Sequence, residues 1–173
     1  MKTKAIIAGF FLLVSIVTAN AQEQASVILQ KASTQAAKEK KNVFVMFHAS
    51  WCGWCKKMDK NMTGDACAKL FGDNYVTAHL TVMESPKNEA LENPGGEDIL
   101  KKFKGGEQAG LPFWVILDPK GNVLADSYNA KGENLGCPST PEEVAEFTAK
   151  LKKTSKLTAS QLGVVKETFT IKK

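Results

Sequence analysis

Two of the four cysteines stand three apart, Cys52 and Cys55, in the run Trp51-Cys52-Gly53-Trp54-Cys55-Lys56. Thiols at that spacing can close a small disulfide ring and reopen it, which is redox chemistry. The same spacing can supply half of a zinc site or, with His after the second Cys, anchor a c-type haem. Lys56 stands where the haem anchor needs its His. Zinc needs two further ligands, and Cys67, Cys137, His48 and His79 are scattered singly. The redox reading is preferred, with neither a metal nor a bound cofactor expected.

The elements around the pair support that preference. Val43 to Phe47 is a short run of β-branched, aromatic and other apolar residues, as in a buried strand. Lys56 to Leu70 reads as one helix, with Met58, Met62, Ala66 and Leu70 four apart. The cysteines therefore fall where a strand turns into a helix. Free N–H groups and a partial positive charge at a helix N-terminus favour an anion, here a thiolate. Lys56 and Lys57 add positive charge. Cys52, at the helix start, is expected to be the exposed, attacking thiol. Cys55, one turn on, faces inward and resolves the mixed disulfide.

Trp-Cys-Gly-Trp-Cys-Lys after an apolar strand resembles the active site of the thioredoxin superfamily. A second stretch carries the same resemblance: Gly110-Leu111-Pro112-Phe113-Trp114-Val115-Ile116-Leu117-Asp118. In that family a cis-proline precedes a core strand and packs beside the dithiol, and Pro112 matches it. The resemblance covers roughly Ala25 to Lys153. It implies an α/β, thioredoxin-like fold, a central mixed β-sheet flanked by helices. It also implies that Leu111 and Pro112 face the substrate chain. Trp51, Gly53 and Trp54 complete that substrate-facing set, although Trp51 is expected to pack into the fold.

The chain departs from the family at several positions. Trp54 replaces the proline common between the cysteines of thioredoxin itself. Met46 stands six residues before Cys52, where thioredoxins carry a buried Asp that helps deprotonate the second thiol. The proton acceptor for Cys55 is thus unassigned, and His48 is a candidate for tuning the site. The Gly-Trp pair lacks the His that strong oxidants carry between their cysteines, which favours a reductase. Ala49 replaces the Thr a peroxidase would place three residues before Cys52.

Residues 1–21 carry the marks of a cleaved export signal. Lys2 and Lys4 precede an apolar run from Ala5 to Val17, and Ala19-Asn20-Ala21 offers small residues to a signal peptidase. The run is about 13 residues, against roughly 20 for a spanning helix, so no stable membrane anchor is expected. Export implies a periplasmic or secreted protein. Residues 22–157 then form the thioredoxin-like domain and 158–173 a C-terminal tail that can be helical, with Leu162 and Val165 inward.

All 23 basic residues are Lys, and the formal charge is +5. Bidentate recognition of phosphates and base edges favours Arg, so nucleic acid is not an expected partner. Partners are expected to be protein thiols and disulfides, with a membrane electron donor if the protein is a reductase. A different function class remains open: a thioredoxin-fold binding or chaperone module whose dithiol is incidental.

The remaining segments read simply. Gln24 to Lys40 is a helix with Val27, Ile28, Ala32 and Ala36 on one stripe. Gly72-Asp73-Asn74 is a breaker, and Tyr75 to Val82 a strand in which His79 has no assigned role. Glu84 to Gly96 is a loop, and Glu97 to Lys104 a short helix. Val123 to Ser127 returns as an antiparallel strand after the turn at Asp118 to Asn122. Thr140-Pro141-Glu142-Glu143 opens the last core helix. Cys67 is expected to be buried, and Cys137 to be a surface thiol near the dithiol.

Overall fold

The computed structural model describes residues 22–106 and 108–171. The expected export signal lies outside the described residues. Four strands form one mixed sheet: β1 (Asn42–His48), β2 (Tyr75–Thr81), β3 (Phe113–Leu117) and β4 (Val123–Asp126), in the order β2-β1-β3-β4. β1 runs parallel to β2, with Met46 opposite His79 and His48 opposite Thr81. β3 is antiparallel to β1, and β4 to β3. The central strands β1 and β3 are almost wholly buried, which is why their sequences are nearly continuous apolar runs.

Alternation along the strands divides the core in two. Val43, Val45, Phe47, Ala78, Leu80, Val115 and Leu117 face α1 (Ala25–Glu39) and α4 (Gly96–Lys102). α1 lies against the sheet through Ala25, Ala32 and Ala36, while Val27 and Ile28 are only half-buried. On the other face, Phe44, Met46, Trp114 and Ile116 meet α2 (Gly53–Thr63), α3 (Ala68–Asn74), α5 (Pro141–Thr154) and α6 (Ala159–Phe169). Thr140 caps α5 in a reciprocal box with Glu143, as its sequence indicates.

The single helix expected over 56–70 is two. α2 stops at Thr63, and Gly64 takes an extended backbone with its N–H bonded to Lys60 O. A Cβ on Gly64 would stand 2.9 Å from that same oxygen, so the turn is built around a residue without one. The break puts Cys67 in the core in place of Ala66, which is exposed. The expected breaker at 72–74 is instead the end of α3. Asn74 holds that end by donating from its amide to Leu70 O and accepting from Lys156 N. The loop over 84–96 contains a short 3-10 helix, Pro86–Leu91.

The tail helix is present as α6. Leu162, Val165 and Phe169 lie in the same core cluster as Phe71 and Phe147, so the segment is packed against the domain.

Candidate active site

β1 ends at His48, and Ala49-Ser50-Trp51 carries the chain to Cys52, the N-cap residue of α2. Cys52 and Cys55 are joined by a disulfide, with their Cα atoms 5.3 Å apart. The Cys55 N–H donates to Cys52 Sγ at 3.1 Å, so one orphan donor of the helix end points at this sulfur. Such a donor favours the thiolate when the bond is reduced.

The expected contrast between an exposed Cys52 and an inward Cys55 is not seen. Both are buried, at 3% and 2% exposure, in a small cluster with Ala49 against which Leu111 packs. In the closed ring Cys52 is folded back over the start of α2, and the surface is left to its neighbours. Trp51 is 57% exposed and Trp54 52%. Trp51 therefore does not pack into the fold. Its indole N–H donates to Met83 O at 2.8 Å, which pins the ring across the outside of the loop.

The peptide bond between Leu111 and Pro112 is cis. It lies just before β3 and brings Leu111 against the cysteines. Asn134 supports this loop, its side-chain amide donating to Ala109 O and Pro112 O at 2.8 and 3.0 Å. Glu84 fixes the other side of the site. Its carboxylate accepts from the Ser50 backbone N–H and from the Ser50 hydroxyl, at 2.5 and 2.7 Å. Neither support is legible in the sequence, because each pairs residues more than 20 positions apart.

Behind the disulfide, a cavity of about 420 Å³ is lined by Met46, His48, Cys55, Asp59 and His79, among others. Met46, His48, His79 and Thr81 all point to the α2 side of the sheet, because they share one parity along paired strands. Asp59 follows Cys55 by four residues, one helical turn. His79 Nε2 lies 3.1 Å from Asp59 Oδ1, and the two imidazoles meet edge-on with centroids 5.5 Å apart. Burial lowers the basicity of His48, and the neighbouring His79 lowers it further, against the opposing pull of Asp59 and Glu84. His79, given no role from the sequence, therefore belongs to the site's surroundings.

Cys67 and Cys137 are free and buried. The surface position expected for Cys137 is wrong. It lies in the core cluster, and burial pushes its thiol up to about 11. Among the described residues, no group of three or more His, Cys, Asp or Glu side chains is placed to hold a metal.

A family model described as thioredoxin-like matches residues 25–119. The chain belongs to the thioredoxin-like family. The mixed four-stranded sheet flanked by helices and the Cys52–Cys55 pair agree with that membership. Protein disulfide-isomerase A5 of Mus musculus is 41% identical over 81 residues, covering 45% of this chain and 16% of that protein. The Bos taurus protein of the same name is 37% identical over 81 residues, covering 45% and 15%. The chain thus spans only a small fraction of the length of these curated relatives. A disulphide isomerase structure from Xylella fastidiosa Temecula1 aligns with 68% of this chain and 80% of its own, at 19% identity and a TM-score of 0.48.

Proposed function

We propose that this thioredoxin-like protein is an exported thiol–disulfide oxidoreductase that reduces disulfides in other proteins. The observation that carries the reading is the Cys52–Cys55 disulfide at the N-terminus of α2, packed against Leu111 beside the cis peptide bond. Cys52 is the nucleophile: its thiolate attacks a substrate disulfide and forms a mixed disulfide. Cys55 then attacks Cys52 Sγ, which releases the reduced substrate and restores the enzyme disulfide. Trp51, Gly53, Trp54, Leu111 and Pro112 form the face that meets the substrate chain. Exposed indoles beside a buried disulfide suit contact with an unfolded or mobile segment of polypeptide.

Residues 1–21 serve as the export signal in this reading, and the folded unit follows it. No described helix is long and apolar enough to cross a membrane. The protein works in the periplasm or outside the cell, where a membrane donor of electrons returns the disulfide to the dithiol.

The test is insulin reduction with dithiothreitol as the electron source. Wild-type protein should accelerate precipitation of the insulin B chain, and Cys52→Ser should abolish the acceleration. Equal activity in both proteins would assign the exposed Trp51 and Trp54 surface to a binding or chaperone module, whose dithiol is incidental.

A further inference from the structure

The proposed exchange leaves one proton unaccounted for. Cys55 attacks as a thiolate, so its thiol must lose a proton at a position that is 2% exposed in the disulfide form. Met46, whose side chain neither accepts nor releases a proton, lines the cavity beside it. The remaining wall supplies groups that do. His48 and His79 come from β1 and β2, and Asp59 from α2 one turn beyond Cys55.

We infer that His48 accepts the Cys55 proton across this cavity and that the His79–Asp59 pair passes it on to solvent. The inference rests on the exchange chemistry proposed above. A cavity of about 420 Å³ has room for water, and one water suffices to bridge a thiol and an imidazole that do not touch. His48 is half-buried and reaches only Thr81 Oγ1, at 3.4 Å, so a ring nitrogen is left for the cavity. His79 and Asp59 are partly exposed and open the path outward.

The step balances without an added oxidant. Cys55 gives its proton to His48, and Cys55 Sγ attacks Cys52 Sγ. The Cys52–Cys55 bond forms and the bond from Cys52 to the substrate sulfur breaks. The departing substrate sulfur carries the electron pair and takes a proton from solvent. The enzyme dithiol is oxidised, and the substrate disulfide is reduced.

His48 is suited to accept because burial holds its basicity below the ordinary imidazole value, which keeps it neutral near pH 7. The charged and titratable groups around it are His79 on β2, Asp59 and Lys56 on α2, and Glu84 in the loop after β2. His79 lowers its basicity, while Asp59 and Glu84 raise it.

Stopped-flow reaction of the reduced protein with one equivalent of Ellman's reagent separates the two steps. Attack by Cys52 releases the first thionitrobenzoate, and closure by Cys55 releases the second. Cys55→Ser identifies the second release by its loss. In wild type, the second rate should rise with pH through an inflection below the ordinary imidazole value. In His48→Gln that inflection should vanish and the rate at pH 7 fall about a hundredfold, with the first release unchanged. His79→Gln, at a partly exposed position, keeps His48 but removes its neighbour, and should move the inflection to higher pH. A second release in His48→Gln that follows wild type at every pH overturns the relay and leaves the exchange reading intact. So does an unmoved inflection in folded His79→Gln. Absence of the first release in wild type overturns both.

Discussion

The side-chain amide of Asn134 donates to the carbonyl of Pro112 at 3.0 Å, from the loop that lies beyond β4. The same amide reaches Ala109 O and Gly110 O, and its oxygen accepts from the Gly136 N–H. One half-buried residue thereby ties the cis-Pro loop to the segment that follows the sheet. Asn134→Ala leaves these carbonyls without their donor and should cost about 1–3 kcal/mol, read as a lower urea midpoint. Exchange with insulin should slow more than exchange with Ellman's reagent, because in the proposed exchange only the protein substrate meets the 111–112 face. Equal slowing of both would remove Asn134 from the positioning of that face.

Glu84 acts on the opposite side of the disulfide. Its two oxygens hold the backbone and hydroxyl of Ser50, two residues before Cys52. Glu84→Ala should destabilise the protein by about 1.5–3 kcal/mol, the range for hydrogen bonds to a charged group. It should also free Trp51, whose indole bonds the adjacent Met83 carbonyl. Faster quenching of Trp51 fluorescence by acrylamide, compared in proteins lacking Trp54, checks this.

Burial makes Cys137 a pH-dependent contributor to stability. Its thiol is raised to about 11 in the folded protein, against about 8.5 for a free cysteine. The folded state therefore holds a proton that the unfolded chain gives up first. The contribution is fully present below about pH 8.5 and is lost as pH rises toward 11. Urea midpoints of reduced wild type should fall across that window, and those of Cys137→Ala should fall less. Iodoacetamide at pH 8 should label Cys137 far more slowly than a free thiol.

α6 tests where the folded unit ends. Phe169 is 1% exposed, and its ring lies 5.1 Å from that of Phe147 and 6.3 Å from that of Phe71. Phe169→Ala should cost about 3–5 kcal/mol, as for other buried aromatics, measured by urea unfolding. A cost below about 1 kcal/mol would make α6 an appendage.

Much of the site was legible because it is written locally. The Val43–Phe47 run, the C-x-x-C pair and the Leu111-Pro112 step before Phe113–Leu117 each carry their own signal, and each element is where those signals put it. The helix break was not legible in the same way. Met58, Met62, Ala66 and Leu70 keep a helical period across Gly64, and only the backbone shows Gly64 turning the chain so that Cys67 replaces Ala66 inside. The errors at Trp51 and Cys137 share a cause, since each residue's exposure is set by segments distant in sequence. The pairing of His79 with Asp59 spans 20 residues and two elements. One part of it was readable: Asp59 follows Cys55 by a helical turn, and His79 shares its parity with Tyr75 on the core face.

The central claim is that Cys52 attacks substrate disulfides and Cys55 resolves the product. Reduced Cys55→Ser, incubated with oxidised protein substrates and quenched with acid, tests it most directly. Mass spectrometry of the trapped species should find mixed disulfides joined through Cys52, and they should disappear in the Cys52→Ser, Cys55→Ser double variant. Failure to trap any mixed disulfide at Cys52, or trapping through Cys137 instead, would contradict the account.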